Sequence, residues 1–154
     1  MHVDEHVTVP LALGDAWDFV WQVDLLAGCV PGCTGVKMIE QGKHYTGRVA
    51  DRVGPYRVEM DLDVTVQEST APEMIRVLVS GQDRKMGTTQ RMDLTVRLVE
   101  LGPAQTRLDI GAEVEILGKI AALGQFVVKR KVTDVIKKFG ENLRLACTEV
   151  KRVG

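Results

Sequence analysis

The 154-residue sequence predicts an α+β fold: a curved antiparallel sheet of about seven strands around one long C-terminal helix, with two short helices after the first strand. Three observations predict it. From residue 35 to 117, apolar and polar residues alternate in runs separated by turn residues, the two-residue period of strands with one dry face. From Leu117 to Val150, apolar residues recur at steps of three and four, the period of an amphipathic helix. The length suits one ordinary domain, spanning residues 1–154.

His2 to Val9 alternates, with Val3, Val7 and Val9 on one side and His2, Asp4, His6 and Thr8 on the other, and reads as a half-exposed strand. After Pro10 and Gly14, the segment Asp15 to Val23 places Ala16, Trp17, Val20 and Trp21 at helical spacing, with Asp15 as N-cap. A second helical turn, Asp24 to Cys29, is ended by Val30-Pro31-Gly32. Strands follow at Val36 to Glu40 and Tyr45 to Val53, divided by Gln41-Gly42-Lys43. The alternation is clearest in Val58, Met60, Leu62, Val64 and Val66, in Met92, Leu94, Val96 and Leu98, and in Leu108, Ile110, Ala112, Val114 and Ile116. Val77 and Val79 share the inward face of a run between them. The other face is rich in Asp, Glu and Arg, which favours an antiparallel meander over a parallel sheet. Leu117, Ala121, Gly124, Val128, Val132, Val135, Phe139, Leu143, Ala146 and Val150 form the stripe of the last helix, roughly 50 Å long.

Apolar residues make up 45% and charged residues 27%, which excludes a disordered polar chain. The net charge of −1 gives no case for nucleic acid. Charge is nevertheless uneven: residues 1–116 carry 11 basic and 18 acidic side chains, residues 117–154 carry 9 and 3. Three cysteines are too few and too odd in number for a disulfide scaffold, which points to a reducing compartment. No basic-then-apolar leader stands at Met1 to His6, so a signal peptide is not expected. No apolar run approaches the roughly 20 residues that cross a bilayer, leaving a peripheral relation to membranes.

A sheet curled around one helix leaves space between them unless large side chains fill it, and aromatics are only 5% of the chain. Unfilled apolar volume costs stability unless a ligand occupies it, so a hydrocarbon-lined cavity is the expectation.

A resemblance extends this. Trp17-Asp18-Phe19-Val20, then Leu26-Ala27-Gly28-Cys29-Val30-Pro31-Gly32, Tyr45-Thr46-Gly47-Arg48-Val49 and Val53-Gly54-Pro55, followed by Gly81-Gln82-Asp83 with Gly87, Gly118 to Gly124, and Phe139-Gly140-Glu141-Asn142-Leu143, are similar to the family of carbon monoxide dehydrogenase G subunits. The resemblance spans nearly the whole chain in order. It implies a helix-grip fold of the START-like superfamily, whose terminal helix closes an apolar pocket. It further implies a partner, a molybdenum-containing carbon monoxide dehydrogenase or related hydroxylase, recruited to the membrane, with a quinone as the lipid-like ligand. Some members carry a C-terminal anchoring tail; with the sequence ending at Arg152-Val153-Gly154, either anchoring does not run through such a tail or the tail is missing from this sequence.

Catalytic and metal sites fare poorly on spacing. Cys29 and Cys33 enclose Pro31-Gly32, Cys147 lies far away, and no set of four ligands for zinc is visible, so no metal is expected. His2 and His6 on a strand stand about 13 Å apart. His44 has no recognisable catalytic set. The glycines at 42, 47, 54, 81, 87 and 102 form no phosphate loop and read as turns and bulges. Asp61 and Asp63 read as a solvated face. Lys129-Arg130-Lys131, Lys137-Lys138 and Lys151-Arg152 form the polar face of the helix or meet anionic headgroups or an acidic partner.

The first expectation is therefore a non-enzymatic protein that binds an isoprenoid quinone, menaquinone or ubiquinone, and links the dehydrogenase to the membrane electron-transport chain. It would be cytoplasmic and peripheral at the inner face of the cell membrane. Expected pocket residues are Tyr45, Met60, Leu62, Val77, Val79, Met92, Leu94, Leu123, Gly124, Phe126, Val128, Val132 and Phe139, with Tyr45 able to offer its hydroxyl to a ligand carbonyl. Ile120, Val127, Lys129, Arg130 and Lys131 are expected at a membrane or partner. The alternatives are a cyclase, dehydratase or hydrolase of the same superfamily, which needs an acid or base in the pocket, and an assembly factor for the dehydrogenase.

Overall fold

A computed structural model describes residues 1–153, with side chains described for residues 1–149. Strand β1 (His2–Val9) is followed by helices α1 (Leu13–Val20) and α2 (Val23–Cys29). Six strands then run in sequence: β2 (Cys33–Glu40), β3 (His44–Val53), β4 (Tyr56–Thr70), β5 (Met74–Asp83), β6 (Thr88–Gly102) and β7 (Gln105–Gly118). A 3-10 turn (Ile120–Leu123) leads into α3 (Gln125–Val153). All pairings are antiparallel, in the order β1-β7-β6-β5-β4-β3-β2, so the first strand closes onto the last.

Register explains the two faces. Tyr45, Val64, Val79, Met92 and Val114 lie opposite one another across β3 to β7, and Val66, Val77, Leu94 and Ala112 form the next row. Because successive side chains alternate, the intervening rows hold the charges, such as Arg76 and Asp93, bonded at 2.7 and 2.9 Å on the outer face. Such exposed pairs are worth about 0–1 kcal/mol each, so the packed inner face carries the stability.

The helices differ from expectation at their beginnings. Helix α1 starts at Leu13, with Ala12 at the N-cap and Asp15 inside the first turn; no side chain caps it, and the Ala16 N–H reaches the Ala12 carbonyl at 2.8 Å. It ends at Val20, so Trp21 and Val23 fall outside it. Strand β2 starts three residues earlier than Val36 and reaches that point through an irregular register between Thr34 and Lys37. The largest correction concerns the terminal helix. Leu117 belongs to β7, residues 120–123 form the 3-10 turn, and α3 has 29 residues, about 44 Å. Gly118 and Gly124, each at φ +97°, break the chain direction on either side of the turn. A Cβ on Gly118 would stand 1.9 Å from the Gly87 carbonyl oxygen. The expected stripe does not continue through this break: Leu117 is exposed, Ala121 is half-buried and Gly124 is an exposed turn residue.

Candidate functional site

Three apolar clusters hold α3 to the sheet. At one end, Leu143 and Cys147 of α3 meet Val9, Leu98 and Leu108 together with Ala16, Phe19 and Cys29 of the short helices. Asn142 Nδ2 donates to the Cys29 carbonyl at 3.0 Å and ties α3 to the end of α2. Along the β1–β7 flank, Ile136 packs with Val3, Ile110, Ala112 and Val114. At the other end, Val128 packs with Ile120, Val58 and Met60. There the β3–β4 turn, the β5–β6 turn and the β7–α3 connection converge, with a Leu123 methyl 3.2 Å from the Cβ position of Gly54. Lys131 reaches Asp51 of β3 at 2.9 Å and pins the helix start.

What these clusters leave uncovered is the candidate site. Val64 and Val66 of β4 and Val77 and Val79 of β5 face inward, are only half-buried, and belong to none of the three clusters. Each keeps part of its apolar surface accessible. Leu62, Met92 and Leu94 border this strip, half-buried and touching the core on one side. Hollows of about 580 Å³ by Pro10 and Arg144, and about 340 Å³ by His6 and Asp109, lie elsewhere on the molecule.

The expected pocket residues divide accordingly. Leu62, Val77, Val79, Met92 and Leu94 lie on or beside the strip, whereas Val132 and Phe139 of α3 pack against the β1–β7 flank. Met60 and Val128 are buried in the end cluster, and Leu123 packs against it, so these three plug that end. Two expectations are corrected outright. Phe126 is 81% exposed at the start of α3, and Gly124 is an exposed turn residue; with the helix beginning at Gln125, neither faces the sheet. Among the expected contact residues, Ile120 is 2% exposed, its N–H reaching Thr88 Oγ1 at 3.4 Å, so it is core and cannot meet a membrane or partner. Lys131 is likewise engaged by Asp51, whereas Val127, Lys129 and Arg130 are exposed. The side chains of Val150, Lys151 and Arg152 lie outside the described residues.

The strip is chemically quiet. From Tyr45 to Val49, Met60 to Val66, Ile75 to Gly81 and Gln90 to Val96, the inward positions carry no Asp, Glu, His, Lys or Arg. Their polar groups are the Tyr45 hydroxyl and the Gln90 amide. Tyr45, 7% exposed, accepts the Gly42 N–H at 2.7 Å and keeps its own proton to donate. Sequence reasoning missed Gln90, Val64 and Val66 as lining residues, although all three stand in phase with their apolar neighbours. His44 lies on the outer face, with Nε2 2.5 Å from Asp63 Oδ1. Burial pushes the thiols of Cys29 and Cys33 up, and that of Cys147 to about 12, which leaves them weak nucleophiles. Among the described residues, no three His, Cys, Asp or Glu side chains gather as for a metal.

A family model for the G subunit of carbon monoxide dehydrogenase (CoxG) matches residues 5–148. The chain belongs to the CoxG family. No curated protein sequence matches this CoxG family member significantly. Among solved structures, a conserved protein from Geobacillus kaustophilus superposes with a TM-score of 0.87 at 17% identity, covering 97% of this chain and 96% of that one. A START superfamily protein from Mycobacterium smegmatis gives 0.74 at 14% identity, covering 97% and 98%. The Zhui aromatase/cyclase from Streptomyces sp. R1128 gives 0.61 at 18% identity, covering 94% of each chain. These likenesses establish the START-like helix-grip fold. Among the described residues, no helix is long and apolar enough to cross a membrane.

Proposed function

We propose that this CoxG family member is a non-catalytic carrier of an isoprenoid quinone, menaquinone or ubiquinone, linking a molybdenum-containing carbon monoxide dehydrogenase or related hydroxylase to membrane electron transport at the inner face of the cell membrane. The observation that carries this reading is the strip of Val64, Val66, Val77 and Val79, apolar, facing α3, and covered by none of the protein's own clusters. Each methylene of a prenyl tail laid there gains about 0.8 kcal/mol, so the tail supplies the affinity. The headgroup then needs only one or two polar contacts, for which Tyr45 Oη and the Gln90 amide are the candidates. An enzyme acting on an apolar substrate would need an acid or base in this space, and the strip supplies none beyond the tyrosine; the in-phase Asp51 and Asp83 lie towards the end cluster, held by Lys131 and by backbone N–H groups. The family name supports the dehydrogenase as partner.

The deciding experiment is organic extraction of the purified protein, mass spectrometry of the extract, and titration with quinone in detergent. A prenyl quinone at near-stoichiometric amount, or saturable binding when it is added, is the expected result. Absence of both overturns the reading.

A further inference from the structure

We infer that the end formed by the β3–β4 turn, the β5–β6 turn and the β7–α3 connection is a docking surface for an anionic phospholipid bilayer; the inference rests on the membrane relation proposed above and gives it a place on the molecule. Two independent features coincide there. Leu117, Phe126 and Val127 are 56%, 81% and 38% exposed, large apolar side chains that no core cluster covers. Around them stand Arg52, Arg84, Lys85, Lys119, Lys129 and Arg130, all exposed and, among the described residues, in no ion pair. The Gly54–Leu123 contact and the close approach of Gly118 to Gly87 bring the three segments together.

Most of the negative charge at this end is engaged within the protein. Asp51 holds Lys131, and Glu59 lies 3.3 Å from both Arg48 and Arg57. Asp83 is buried and accepts the N–H groups of Glu59 and Met86, whereas Glu115, opposite Arg91 in the β6–β7 register, is exposed and in no ion pair among the described residues. Apart from Lys119, whose ammonium sits 5.0 Å over the Tyr56 ring, these cations are left to attract an external anion. Free-standing Phe and Leu among those cations suit a surface with a charged headgroup layer above an acyl layer, rather than a purely polar acidic protein face.

Co-sedimentation with quinone-free vesicles tests this, using phosphatidylcholine alone and phosphatidylcholine mixed with phosphatidylglycerol. The chain is expected to bind the anionic vesicles selectively and to be released by salt. Lys129→Glu/Arg130→Glu and Phe126→Ser should each weaken binding about tenfold. Lys137→Glu/Lys138→Glu, an equal charge change further along α3, should not. No preference for anionic vesicles, or an equal loss in that control, overturns the inference, and binding only to the dehydrogenase through these residues does so as well. Quinone binding in detergent by Lys129→Glu/Arg130→Glu, with circular dichroism to confirm folding, reads the carrier reading separately.

Discussion

The Tyr45 hydroxyl accepts the backbone N–H of Gly42 at 2.7 Å, joining a buried ring on β3 to the hairpin that precedes it. That bond fixes the oxygen while leaving its proton free to meet a ligand carbonyl. Tyr45→Phe should lower stability to urea by about 0.5–1.5 kcal/mol. It should also weaken binding of a quinone several-fold while sparing a prenyl hydrocarbon without a carbonyl. Equal losses for both ligands would remove Tyr45 from headgroup recognition.

Filling the uncovered strip should abolish ligand binding without unfolding the protein. Val79→Trp places an indole over a position that no core cluster covers. The expected result is a native circular dichroism spectrum with no saturable quinone binding. Unchanged binding in Val79→Trp would mean that the ligand sits elsewhere.

Ile120 and Phe126 lie six residues apart and should behave oppositely. Ile120 is fully enclosed beside Val58, Met60 and Val128, so Ile120→Ala should cost about 2–5 kcal/mol in chemical unfolding. Phe126→Ala should change stability by no more than about 0.5 kcal/mol, since its ring is exposed. A large loss from Phe126→Ala would contradict its placement.

Asp83 should contribute to acid sensitivity. Burial works to raise its carboxyl, but the backbone N–H groups of Glu59, Met86 and Lys85 outweigh it and hold the group below its ordinary value. A carboxyl depressed in the folded state stabilises the fold fully above its unfolded value near about 4, and that contribution disappears as pH falls through the lower folded value. Asp83→Asn should therefore be less stable than the parent at neutral pH, with the difference shrinking below about pH 4. A constant difference across that range would show that ionisation of Asp83 is not involved.

Strands were the legible part of the sequence, because the dry face announces itself wherever apolar residues fall at every second position, as from Val58 to Val66. The terminal helix was less so. Leu117, Ala121 and Gly124 keep helical spacing by coincidence, and only the paired glycines at 118 and 124 signal that a strand end and a tight turn intervene. The candidate site was legible on β4 to β6, where phase alone places Leu62, Val77, Val79, Met92 and Leu94 inward. It was illegible at Phe126, because exposure at the first turn of α3 depends on where the helix begins. Gln90 was overlooked for the opposite reason: it shares the phase of its apolar neighbours, but a polar residue does not stand out as lining.

The sheet's margins, β1 and β2, are not hydrogen-bonded to each other, and α1 and α2 span the interval between them. The grip is thus an open clasp and not a sealed ring. One margin can therefore move relative to the other while every rung of the main-chain ladder stays intact.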